Sequence, residues 1–115
     1  MEIYNESHYV AEKNIFCGRA KPGALLNMAS AHYHDHFEIY YLLSGKRKYF
    51  IENQIYNVTK GDLVLIPKGV LHKTATLDNS FYERLLISFN DTFLCYPDGK
   101  DEILKCFETH YYHLS

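Results

Sequence analysis

The spacing of apolar positions changes once along the chain. Up to residue 89 they fall in short runs separated by Gly, Pro, Asn and Asp, which is how strands and turns read. Residues 9–16 carry Tyr9, Val10, Ile15 and Phe16 and predict an edge strand, with Met1 to Ser7 polar before it. Cys17-Gly18 and Lys21-Pro22-Gly23 read as turns, and residues 24–31 as a further strand. Residues 37–43 are almost continuously apolar and predict a strand covered on both faces. Residues 46–51 and 54–58 predict a hairpin around Glu52-Asn53, with Asn the residue tolerant of positive φ. Lys60-Gly61-Asp62 turns, 63–66 is a short apolar strand, Pro67-Lys68-Gly69 turns again, and 72–77 and 81–89 complete the set. About seven or eight strands at this spacing predict an all-β sandwich or barrel.

After Asn90 the period lengthens. Pro97-Asp98-Gly99 breaks the chain, and Ile103, Leu104, Phe107, Tyr111 and Leu114 then recur at three and four residues. That is one apolar stripe of a helix over 100–114, packed on the barrel or forming a subunit interface, with Asp98 or Asp101 to cap it. No Gly or Pro closes the helix before Ser115, so the expectation is a piece of a longer protein or a frayed end. The predicted organisation is an N-terminal arm and edge strand (1–23), a β-sandwich or barrel (24–92) and a C-terminal helical segment (93–115).

Composition narrows this. With 115 residues the chain is one domain. Its 11 Tyr and 7 Phe favour strands over helices. The net charge of −2 and the lack of a basic stripe argue against gripping DNA phosphates directly. Lys46-Arg47-Lys48 is the only basic triplet, and on a strand its members alternate faces, so it is expected to solvate the hairpin. Cys17, Cys95 and Cys106 lack CxxC spacing and read as free thiols. With no secretory leader and no apolar run of about 20 residues, the expectation is a cytoplasmic protein with no membrane partner.

The chemistry gathers in two segments. His32, His34, His36, Glu38, Tyr40 and Leu42 share one strand face if the strand is regular. Residues two apart on that face stand roughly 7 Å apart, so imidazoles and a carboxylate can lean onto one point. His72 opens a second such strand, with Thr74 and Thr76 on its face. Were the strands neighbours in a barrel, three His and one Glu would converge, a donor set for Zn, Ni, Fe or Mn. The same residues also suit a polar pocket without metal. His36 is expected at a solvated rim. Tyr40, Tyr49, Tyr56 and Tyr82 either pack or offer hydroxyls to a ligand.

The two segments resemble the cupin pattern, His-x-His, three residues, Glu, six residues, Gly, then Gly, five residues, Pro-x-Gly, two residues, His. Here these are His32, His34, Glu38 and Gly45, then Gly61, Pro67, Gly69 and His72. Leu26 stands where a glycine would precede the first His, and Thr76 where Asn often ends the second motif. The resemblance implies a jelly-roll barrel. Within cupins, the phrasing of 32–45, 61–67 and 82–89 is most similar to the effector-binding domain of AraC-type transcription regulators. That implies a small effector, a sugar among the candidates, bound by His32, His34, Glu38, Tyr40, His72, Thr74 and Tyr82. It also implies a homodimer, and DNA contact only through a C-terminal domain outside this chain. No cofactor is required on this reading, with a divalent metal at His32, His34, Glu38 and His72 as an option. The alternatives are a metal-dependent cupin enzyme, a dioxygenase or isomerase, and a stand-alone sugar-binding cupin.

Overall fold

The computed structural model describes residues 6–11, 14–20, 35–76, 81–93 and 99–114. The strand expected over 24–31, and His32 and His34, lie outside them. Strands β1 (Glu6–Ala11), β2 (Ile15–Ala20), β3 (Phe37–Ser44), β4 (Lys46–Ile51), β5 (Gln54–Thr59), β6 (Leu63–Ile66), β7 (His72–Thr76) and β8 (Glu83–Phe89) precede helix α1 (Lys100–Cys106) and a two-residue strand β9 (Tyr111–Tyr112). They form a six-stranded sheet, β1-β2-β8-β3-β6-β9, and a three-stranded sheet, β5-β4-β7, with every pairing antiparallel.

Strand parity builds two cores. One strand face gives the buried cluster Tyr40, Leu42, Tyr49, Ile51, Val58, Val64, Ile66 and Tyr82 inside the barrel. The opposite face gives Phe37, Leu65 and Phe89, closed over by Phe107 just past α1. There Phe37 stacks on Phe89 at 5.4 Å between ring centroids and meets Phe107 edge-on at 5.3 Å, favoured aromatic geometries. The near-continuous apolar run of β3 is thus explained, since each of its faces meets a different core.

The structure corrects four local expectations. Residues 9–16 do not form one edge strand; β1 is the edge, β2 runs between it and β8, and Cys17-Gly18 lies within β2. Pairing of Cys17 and Gly18 with Ile87 and Leu86 of β8 overrides the local turn signal. The β4–β5 turn does span Glu52 and Asn53, but Glu52 takes the positive φ, 53°. The backbone N–H of Glu52 bonds the Leu71 carbonyl at 2.8 Å and holds it there. Asp98 lies outside the described residues, and Asp101 does not cap α1. Its N-cap is Gly99 at φ 84°, without a side-chain bond, and Asp101 sits in the first turn.

The fourth correction is the largest. The helix stops at Cys106 instead of running to 114, and Tyr111 and Leu114 are not on it. Two close contacts, Phe107 N–H to the Leu104 carbonyl and Glu108 N–H to that of Lys105, tighten its last turn. The edge of β6 then claims the chain: Leu65 N–H bonds the His110 carbonyl at 2.9 Å, and Val64 and Leu63 pair with Tyr111 and Tyr112. Backbone pairing along an open edge outweighs a helical stripe too weak to stand alone. The expectation of an unfinished helix therefore loses its basis.

Gly45, between β3 and β4, is at φ 88°, and a Cβ there would lie 2.6 Å from the Phe81 carbonyl oxygen and 2.9 Å from Tyr82 Cα. Gly99 has a similar φ, 84°, but open space around it. Urea unfolding should find Gly45→Ala destabilised by about 3 kcal/mol or more, from strain plus backbone clash. Gly99→Ala should cost only about 1–2 kcal/mol, from φ alone.

Candidate functional site

The inner face of β3 presents Glu38, Tyr40 and Leu42 in sequence, all buried. Opposite residues on neighbouring strands point the same way, so the register places Glu38 in a row with Ser88 of β8 and Phe16 of β2, and with Ile66 of β6. The next row is Tyr40, Leu86, Gly18 and Val64. A cavity of about 510 Å³ opens over the first row, lined by Phe16, Glu38, Leu86 and Ser88, with Asp35, His36, Asn14 and Asn90 among the residues around it. Asn90 donates through Nδ2 to Asn14 Oδ1 at 3.0 Å and so ties β8 to β2 there.

Glu38 has an imidazole at each oxygen. His36 Nε2 lies 3.5 Å from Oε1 and His72 Nε2 lies 3.6 Å from Oε2. His72 is 2% exposed, and its Nδ1 donates to the Val70 carbonyl at 3.0 Å when the ring is neutral. That bond makes Nε2 the acceptor nitrogen and faces it to a carboxylate. Two acceptors at that distance are relieved by a proton or a cation between them. His36 does sit at the rim, with its side chain 31% exposed, but it is engaged with Glu38. Among the described residues, no group of three or more His, Cys, Asp or Glu is placed to hold a metal ion. His32 and His34 lie outside them. The two described donors, a buried imidazole oriented from behind and a buried carboxylate, are of the chemistry that a zinc-like cation takes.

Deeper in the barrel, Arg47 is 2% exposed. This corrects the expectation of a solvated basic triplet: parity on β4 turns Lys46 and Lys48 outward and Arg47 inward. Arg47 Nη2 donates to Thr74 Oγ1 at 3.0 Å, and its guanidinium lies 4.1 Å from the centre of the Tyr82 ring. Arg84, also buried, faces inward beside Leu42. Of the seven residues named from sequence for the pocket, Glu38 and His72 meet at the cavity end. Tyr40, Thr74 and Tyr82 are buried further in, the last two in contact with Arg47. Arg47 and Arg84 were missed. The signal was there, since each occupies the inward position of an alternating strand, but charge argued for solvent.

The fold and the inward polar row define a cupin-type barrel. Three solved structures show the same fold. A cupin superfamily protein from Desulfitobacterium hafniense is 13% identical at a TM-score of 0.66, over 76% of this chain and 78% of that one. The Cnp3 cupin domain of Schizosaccharomyces pombe is 12% identical at 0.68, over 89% and 72%. KdgF from Halomonas is 15% identical at 0.61, over 76% and 80%. None of the curated proteins matches the chain. The family model of the AraC-like ligand binding domain matches residues 16–94, so the chain belongs to that family.

Burial raises the pKa of Tyr40, partly offset by the nearby Arg47 charge, and raises that of Tyr49 well above its usual value. Their protons stay on in the folded state at a pH where the unfolded chain, with Tyr near 10, releases them. Stability from this source is full below about pH 10 and falls as pH rises beyond it. In an ultraviolet titration, Tyr40 and Tyr49 should still be un-ionised at about pH 11 and should ionise only with unfolding.

Proposed function

We propose that this domain is the effector-sensing part of an AraC-type transcription regulator, and that its effector enters the cavity over Glu38. The observation that carries the reading is that cavity, of about 510 Å³, at the open end of a barrel whose family binds ligands. Its size falls in the ordinary small-molecule range. Its lining pairs the acceptor Glu38 and the hydroxyl of Ser88 with the apolar surfaces of Phe16 and Leu86. A sugar offers the complement, with hydroxyls to donate and C–H faces to pack. Glu38 supplies the innermost polar contact with His72 behind it, and Tyr40, Thr74 and Tyr82 brace the wall further in around Arg47. The protein acts as a homodimer and reaches DNA through a further domain. The coding sequence beyond Ser115 tests this directly. Two successive helix-turn-helix patterns are expected, and a stop codon in their place would overturn the regulator assignment.

The Glu38–His72 geometry favours a second reading, a metal-dependent cupin enzyme in which His32 and His34 join them. A bound divalent cation would supply Lewis acidity. This chain's own part would be to orient His72 through the Val70 carbonyl and keep the Glu38 carboxylate buried. Protein purified without a histidine tag and dialysed against zinc, nickel, iron and manganese in turn should hold well below one equivalent if the sensor uses no metal. One tightly held equivalent, lost in His72→Ala, would favour the second reading.

A further inference from the structure

The carboxylate of Asp62 is fully buried at the turn between β5 and β6. It accepts hydrogen bonds from two places. Thr59, in its own turn, donates its N–H at 2.9 Å and its hydroxyl at 3.1 Å. The C-terminal segment supplies the others, the Tyr111 hydroxyl at 2.6 Å and His113 Nδ1 at 2.7 Å. Burial alone would raise the pKa of Asp62, but these bonds more than offset it and hold the carboxyl below its usual range.

The segment held in this way lies at the margin of both cores, with Tyr111 against the barrel cluster and 5.5 Å from the Tyr56 ring, and Tyr112 against the outer cluster. Tyr111 and Tyr112 are half-buried, and His113 and Leu114 are exposed. Among the described residues its backbone is fastened along β6, through the β9 pairing and the Leu65–His110 bond. A two-residue edge strand with half-buried side chains opens locally at lower cost than the central strands. Asp62 also reaches in the other direction. Its carbonyl accepts from Leu42 N–H at 3.2 Å, and Gly61 N–H bonds the Leu42 carbonyl at 2.8 Å. Leu42 lies on the strand face that carries Glu38 and Tyr40. Beyond Asp62, β6 places Val64 and Ile66 opposite Tyr40 and Glu38 in the barrel wall.

We propose that residues 110–114 form a detachable strap, latched by Asp62, whose hold on β6 is coupled to the state of the barrel interior through β3. A shift of β3 and β6 around a ligand moves the latch, and the strap passes the change to the outside of the domain. Only the trigger rests on the reading of the barrel as an effector pocket; the latch does not.

Hydrogen exchange on the full chain, with no effector present, tests this. In Asp62→Asn and in Tyr111→Phe, the amides of Leu65 and Tyr112, which the alternating antiparallel ladder turns toward the partner strand, should exchange at least tenfold faster, with the β4–β5 amides unchanged. Strap amides that exchange no faster in either variant, or β4–β5 amides that rise equally with them, would overturn the latch. The coupling is read in Glu38→Gln, where strap exchange should change at least threefold over a constant β4–β5 background. An unchanged strap there would overturn the coupling and leave the effector reading to its own test.

Discussion

The structure depends on how charge is accommodated inside a small barrel. Glu38, Arg47, Arg84 and Asp62 are all buried, and His72 with them. An ion moved from water into a protein interior costs several kcal/mol unless hydrogen bonds and opposite charge replace its hydration. Each described contact does some of that. Thr74 and the Tyr82 ring meet Arg47, imidazoles flank Glu38, and four donors converge on Asp62. A barrel built only to be stable would fill these positions with Val and Leu, as it does at Val58 and Leu42. The retention of polar groups there points to recognition.

Strand periodicity does most of the placing. Because neighbours alternate, β3 can carry Phe37 into the outer aromatic core and Glu38 into the barrel. The same alternation turns Arg47 inward between two outward lysines, and orders Glu38, Tyr40 and Leu42 from the cavity into the core. The His72 end of β7 faces the Glu38 end of β3, so chemistry collects at one mouth, while the turn at Asp62 bonds the backbone of Leu42 further along β3.

Much of this was legible in the sequence. The apolar run of β3, the two-residue turn at Glu52-Asn53, the short β6 and the shared face of Glu38 and Tyr40 follow from local pattern, which a two-residue period transmits faithfully. Three things were not legible, each for a non-local reason. Cys17-Gly18 reads as a turn until β8 pairs with it. Arg47 reads as solvated until Thr74 and Tyr82, more than 25 residues away, are known to meet it. Tyr111 reads as helical until Asp62 and the β6 edge capture it. Short-range spacing carries no information about partners so distant in sequence, and a helix of seven residues yields readily to an open sheet edge.

The central claim is that a small molecule is recognised over the Glu38–Ser88–Phe16 row. Chemical-shift mapping of the isotopically labelled domain against a panel of monosaccharides and their acids tests it most directly. The account predicts saturable shifts at Phe16, Glu38, Leu86 and Ser88 for at least one compound, weakened tenfold or more in Glu38→Gln, which is about 1.4 kcal/mol of binding free energy. Saturable shifts confined to the outer face around Leu104 and Phe107, with the inner row unmoved, would contradict it.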